Sequence, residues 1–199
     1  MIAPGIIPSS VTHLAFSCND NQKMVRGIIP DSVTHLTFDR RFDRPVPDGA
    51  IPHSVTHLVF GIDFNQSLTR RSLPCALTHI AFGHVFDKPL AAGVVPPSVR
   101  HLVLDCSFSC VTDGATIPFV THLSSSQFSR SDVKLHPGNL PRSLSHLEVP
   151  ASYLNNGKLQ LPASVTHLSY KPVDIDGHPE FQSNFWYCDR EIHQLQLIL

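Results

Sequence analysis

The hydrophobic positions along this chain recur with a period of about 22 residues. The segment IPDSVTHLTF, residues 29–38, is one copy, in which proline precedes a short apolar run that surrounds a histidine. Eight such segments align on their histidines: His13, His35, His57, His79, His101, His122, His146 and His167. A constant period in this range is typical of a solenoid, whose coils bury their apolar faces only against neighbouring coils.

The apolar positions inside one copy predict a short β-strand. In the second copy Leu36 and Phe38 have the alternating spacing of a strand. Successive side chains of a strand point to opposite faces, so His35 and Thr37 are expected on the outer face. By the same rule Thr34 is expected to point away from the His35 ring. The sequence therefore predicts a parallel sheet with a column of histidines outside the core.

The residues between the predicted strands indicate corners and extended chain. Pro30 stands just before the second strand, where its missing N–H costs no ladder bond. Gly27, three residues earlier, suits a tight corner. An aromatic residue follows most of the histidines by seven positions, and such a column predicts stacked rings in the interior: Phe42, Phe64, Phe86, Phe108 and Tyr153, with Phe128 one place early.

Together these patterns predict a β-rich solenoid. We expect a leucine-rich-repeat-like stack of about eight 22-residue coils, with one parallel β-sheet face and little helix. The solenoid is expected to span residues 1–171. The repeat stops after Lys171, and residues 172–199 are interpreted as a C-terminal cap.

Composition narrows the range of functions. Charged residues make up 16% of the chain and the formal net charge is -1, which argues against a basic surface that binds nucleic acid or a membrane. No apolar run is long enough to span a bilayer. The five cysteines are an odd number without CxxC spacing, and they predict reduced thiols that fill small core positions in a cytoplasmic protein.

The alternation of FNQSL or FDKPL with IPxSVTHLxF resembles the FNIP repeat over about residues 5–170. This relative of the leucine-rich repeat is found mainly in amoebae and in giant viruses that infect them. The resemblance implies a leucine-rich-repeat-like solenoid, with Asp63 near the usual asparagine position. It also implies a location in the cytoplasm, or in the host cytoplasm if the protein is viral. Relatives often carry an F-box, for which no matching motif occurs here.

The histidine column is the candidate functional feature. We expect a non-catalytic scaffold that binds a protein partner through the sheet face, without a cofactor, metal, nucleic acid or membrane. The predicted partner-binding residues are His13, His35, Thr37, His57, Val59, His79, Ala81, His101, Val103, His122, His146 and His167. The alternative is a metal-binding or hydrolytic protein that uses the same column. Eight equivalent histidines do not resemble the unique nucleophile, base and orienting group of an active site, so no catalytic residue is assigned.

Overall fold

The computed structural model describes residues 2–16, 21–104, 116–125, 140–150 and 161–171. In these residues the chain forms eight coils, and each coil contributes one strand to a single parallel sheet in the order β1 to β8. The strands are β1 (His13–Ala15), β2 (His35–Thr37), β3 (His57–Val59), β4 (His79–Phe82), β5 (His101–Leu104), β6 (His122–Ser125), β7 (His146–Pro150) and β8 (His167–Lys171). Each repeat histidine pairs in register with the next. The predicted solenoid is therefore confirmed.

The core lies behind the sheet and is built from identical positions of successive coils. Leu36, Leu58 and Ile80 are stacked neighbours in the strand register, and all three are buried. Two columns of phenylalanine lie behind them: Phe16, Phe38, Phe60 and Phe82 in one, and Phe42, Phe64 and Phe86 in the other. Ring centroids are 5.5–6.0 Å apart along each column. The two columns touch at 4.0–4.3 Å.

The second of these columns is the aromatic stack that the sequence predicts. Its members confirm the prediction for coils two to four, whereas Phe108, Phe128 and Tyr153 lie outside the described residues. Parallel rings at this spacing bury large apolar areas without polar atoms, so the stack contributes strongly to cohesion between coils.

The corners between coils need glycine for two different reasons. Gly27 has a φ of 84°, in the left-handed region, as expected for a tight corner. Gly83 has an ordinary φ but lies so close to the preceding coil that a Cβ atom there would overlap the Gly61 carbonyl oxygen. The described residues contain no α-helix, and none of their segments could cross a membrane as a helix.

A ladder of asparagine and aspartate side chains joins successive coils directly after the second phenylalanine column. Asp43 N donates to Asn21 Oδ1 at 3.1 Å, Asn65 N to Asp43 Oδ1 at 3.0 Å, and Asp87 N to Asn65 Oδ1 at 3.0 Å. The resemblance placed the asparagine position near Asp63, which is two residues too early. Asp63 instead donates its backbone N–H to the Arg40 carbonyl at 2.9 Å.

The prediction that the cysteines fill core positions is wrong for Cys75. Its side chain is exposed and its thiol is free, with Sγ 3.8 Å from His53 Nδ1. Cys75 occupies the variable position between the proline and the serine of the repeat, which points to solvent in the neighbouring coils as well. The other cysteines and the predicted cap at 172–199 lie outside the described residues.

Candidate functional site

The outer surface of the sheet carries two columns of side chains, which we call the histidine face. The first column contains the eight repeat histidines. The second lies two residues further along each strand and contains Ala15, Thr37, Val59, Ala81, Val103, Ser124, Glu148 and Ser169. The strand residue between the two columns is buried in β2 to β7, as the alternation predicts.

Exposure varies along the histidine face. The histidines of β2 to β7 are half-buried, whereas His13 and His167 at the two ends are exposed. In the second column Thr37, Val59 and Val103 remain partly exposed, but Ala81 is buried. Of the predicted binding residues, Ala81 therefore offers the least area to a partner.

The histidine rings stack face to face along the whole sheet. Seven consecutive ring pairs have centroid distances of 4.1–4.2 Å and interplanar angles of 7–19°. The stacking follows from the parallel, in-register pairing, because it places the same side chain one strand spacing away in every coil. The edges of eight imidazoles therefore form one continuous stripe.

In seven of the eight coils a hydroxyl on the residue before the histidine holds the ring in place. Thr34 Oγ1 lies 2.9 Å from His35 Nδ1, and the same contact recurs at 2.8–2.9 Å in six other coils, with Ser145 replacing threonine before His146. The expectation that Thr34 points away from the ring is wrong. Strand β2 begins only at His35, so the strict alternation does not extend back to Thr34.

The same hydroxyls also tie successive coils together. Thr34 Oγ1 donates to the Thr12 carbonyl at 3.2 Å, and the backbone N–H groups of Thr34 and His35 point to that oxygen as well. Two residues before the threonine, Ser32 Oγ donates to the Val11 carbonyl at 2.6 Å. The recurring serine and threonine of SVTH are thus explained by hydrogen bonds between coils, a role that sequence reasoning missed although the recurrence was visible.

Arg100 replaces the threonine in the fifth coil, directly before His101, and so changes the surface at the edge of the histidine face. Its Nη1 donates to the carbonyls of Pro97 at 2.6 Å and Val99 at 3.1 Å. Its guanidinium lies 5.8 Å from the centre of the exposed Phe119 ring, within cation–π range. At this margin, beside β5 and β6, the repeating surface therefore gains a positive charge and an aromatic ring.

Three rings of the histidine column, those of His35, His79 and His122, have lowered pKa values and are therefore neutral at physiological pH. Burial, followed by repulsion from His57 and His13, lowers the pKa of His35 from 6.5 to about 4. Burial, then the neighbouring histidines, lowers the pKa of His79 to about 3 and that of His122 to about 4. Both causes act against the charged ring, since a proton on one imidazole faces another imidazole at about 4 Å.

One carboxylate lies on the face among the described strand residues. Glu148 stands in the second column of β7, and Ser124 Oγ donates to its Oε2 at 2.5 Å. Most of the histidine face is therefore uncharged, and its acidic character is confined to the β6–β7 end.

The geometry is unsuited to a single metal ion or an activated nucleophile. The rings are parallel rather than convergent, and a tetrahedral metal site needs donors that converge on one point. Within the described ranges no group of three or more histidine, cysteine, aspartate or glutamate side chains could hold a metal ion. A threonine or serine hydroxyl contacts the ring in seven coils, which is the pattern of a structural contact.

The parallel sheet, the coil period and the side-chain ladders define a leucine-rich-repeat-like solenoid. Residues 21–63 and 64–107 each match the family model of the FNIP repeat. Residues 21–107 therefore contain FNIP repeats, and the resemblance seen in the motifs is confirmed over these residues. No curated protein matches the sequence.

Solved structures include a similar protein. The crystal structure of CroV588, described as a novel circular leucine-rich-repeat protein, shares 31% sequence identity with this chain at a TM-score of 0.70. The match covers 87% of this chain and 26% of CroV588, so the chain spans about a quarter of that protein's length.

Proposed function

We propose that this chain is a non-catalytic scaffold that binds a protein partner across the histidine face. The observation that carries the proposal is the unbroken, half-buried and largely uncharged histidine stripe from β2 to β7. Repeat solenoids of this class are typically interaction scaffolds, and extended sheet faces are their usual binding surfaces.

Neutral imidazoles suit a surface that is covered by another protein. Burying a charged side chain in an interface is costly unless it is paired, whereas a neutral ring can be buried with its one outward nitrogen hydrogen-bonded. The low pKa values of His35, His79 and His122 keep these rings neutral over the physiological range. Val59 and Val103 add apolar area beside the rings. The surface thus combines apolar contact with regularly spaced hydrogen-bonding groups.

The charge distribution favours a protein over a nucleic acid. Phosphate recognition needs several lysine or arginine side chains on one surface. Among the described strand residues, neither column of the histidine face contains lysine or arginine, and Arg100 lies only at its margin. We place the protein and its partner in the cytoplasm, in accordance with the odd number of cysteines and the free thiol of Cys75.

The alternative, a metal-binding or hydrolytic role for the histidine column, has weaker support. Each Nδ1 that contacts a threonine or serine hydroxyl is already used in a hydrogen bond. The remaining Nε2 atoms of a parallel stack project side by side, and two adjacent rings supply fewer donors than a zinc site requires.

The proposal is tested with single charges introduced at exposed positions. Val59→Glu and His101→Glu place a carboxylate in the centre of the face, where interface energy concentrates. Val85→Glu is the matched control, because Val85 is exposed on the chain after β4 and lies off the face. Ala81 is avoided, since a larger side chain at this buried position would disturb the fold itself.

We expect the two face variants to lose a native partner that the parent and Val85→Glu both retain in affinity capture. Melting curves of all four proteins should show the same cooperative unfolding. If both face variants retain the partner as well as Val85→Glu does, the histidine face is not the binding surface. Metal retained by the tag-free parent in proportion to protein, and lost in His101→Glu, would favour the alternative.

A further inference from the structure

The two ends of the coil stack expose apolar side chains whose equivalents inside the stack are buried. At the β8 end, Leu168 is 45% exposed and Tyr170 is 62% exposed. The equivalent residues of β7, Leu147 and Val149, are 2% and 0% exposed. At the β1 end, Ile6 is exposed to a similar degree as Tyr170. Both ends therefore present apolar surface of the kind that further coils cover inside the solenoid.

Inside the chain, the same backbone hydrogen bonds join each coil to the next. The later coil donates the backbone N–H groups of its threonine and histidine, as Thr34 and His35 do to the Thr12 carbonyl at 2.8 and 3.1 Å. The same arrangement recurs at all seven junctions between the eight strands, with Arg100 and Ser145 in the place of threonine. The earlier coil in turn donates one N–H beyond its strand, as Phe16 does to the Thr37 carbonyl at 2.9 Å.

Among the described residues, the two outer ends carry the halves of this junction that have no partner coil. In the last described coil, the Thr166 carbonyl occupies the position that accepts two N–H groups at every internal junction. In the first coil, Thr12 and His13 occupy the donor positions. No hydrogen bond joins these groups to a later or an earlier coil within the described residues.

The side chains at the two ends also match. Placing β1 after β8 in the internal register sets Leu14 on Leu168 and the His13 ring on the His167 ring, as in the histidine pairs of the seven existing junctions. Tyr170 would then donate its N–H to the Ala15 carbonyl, the bond that Phe16 makes to Thr37. No charged side chain needs to be buried at any of these positions.

We propose that copies of this chain associate head to tail, with β8 of one copy pairing in parallel with β1 of the next. The sheet and the histidine stripe then continue across the boundary. Each contact joins the β8 end of one copy to the β1 end of another, so the interface is heterologous. Every added copy leaves a free end for the next one, and growth continues until a ring closes or a filament forms. This association rests on the two ends and is independent of whether the histidine face binds a partner.

The test is sedimentation velocity of the full chain over its soluble concentration range. We expect the parent to form species that grow with concentration. Leu168→Glu, which introduces a charge at the β8 end, and Ile6→Glu, at the β1 end, should each remain monomeric at every concentration. Val85→Glu, which carries the same charge on an exposed position away from both ends, should associate like the parent.

A mixture of the two end variants distinguishes head-to-tail association from any symmetric dimer. Ile6→Glu retains an intact β8 end and Leu168→Glu retains an intact β1 end, so an equal mixture should form a one-to-one dimer and nothing larger. If Leu168→Glu fails to fold by circular dichroism, Tyr170→Glu takes its place.

Three results would overturn the proposal. The first is a parent that stays monomeric throughout, as it would if residues 172–199 covered the β8 end. The second is association that only one of the end variants abolishes, which indicates a symmetric contact. The third is a mixture of end variants that remains monomeric although each variant is folded.

Discussion

Acid should destabilise this protein through its histidine column. The unfolded chain takes up protons at the ordinary histidine pKa of about 6.5. The folded chain does not, because the pKa of His79 is about 3 and those of His35 and His122 are about 4. The unfolded state therefore binds more protons between these pKa values, and the free energy of unfolding must fall as the pH drops through this window.

The magnitude follows from the positions of the rings. Taken without screening, lowering the pKa of His79 from 6.5 to about 3 corresponds to roughly 5 kcal/mol. The ring is only half-buried, so solvent and salt reduce this to about 1–2 kcal/mol. The pKa values of His35 and His122 are lowered less, and these rings contribute about 1 kcal/mol each. These contributions sum to about 3–4 kcal/mol, and we expect the parent to lose most of this between pH 7 and pH 4, beginning near pH 6.5.

Urea unfolding at half-unit pH steps measures this loss, and His79→Gln is the informative variant. Glutamine cannot take up a proton, so the variant should show a shallower fall in unfolding free energy between pH 6.5 and pH 4. His53→Gln is the matched control, because His53 is exposed and lies off the stack. A parent that becomes more stable between pH 7 and pH 5, or equal slopes for all three proteins, would refute this reasoning.

Further predictions concern the coils and their ladders. Deleting residues 49–70 removes one whole coil and should leave a folded, cooperatively melting protein, whereas deleting 49–59 should not; equal melting of both would contradict the solenoid. Leu58→Ala should cost about 2–5 kcal/mol of unfolding free energy in urea titrations, and His57→Ala much less; equal losses would mean that the two faces are assigned wrongly. Asn65→Leu removes the acceptor for the Asp87 N–H and should cost about 1–3 kcal/mol; an unchanged urea midpoint would show that the ladder contributes nothing.

Most of the fold could be predicted because one pattern is repeated eight times. A single HLTF segment is too short to distinguish a strand from other structure, but its recurrence every 22 residues or so fixes the register of the whole sheet. Leu36 and Phe38 were assigned inward and His35 outward from alternation alone, and burial agrees with each assignment. The glycine corners were predicted from the same repetition, because glycine at the same position of successive repeats indicates a requirement of the backbone there.

The polar ladders were harder to predict because alternation holds only inside a strand. Thr34 lies one residue before the first residue of β2, and its hydroxyl contacts the His35 ring. Asp43 and Asn65 were visible in the sequence as polar residues directly after an aromatic, yet nothing in one coil shows that each accepts a hydrogen bond from the next. Such contacts depend on the distance between coils, which the sequence does not give. The exposure of Cys75 was missed because its position within the repeat was not considered.

Footprinting with diethyl pyrocarbonate tests the central claim most directly, because this reagent acylates accessible neutral imidazoles. The parent chain is labelled alone and in complex with its captured partner, and each histidine is quantified by mass spectrometry. We predict that the partner protects His57, His79 and His101 of the face but leaves His53 and His84, which are exposed elsewhere on the coils, as reactive as before. Protection of His53 and His84 with unchanged labelling of the face histidines would contradict the account.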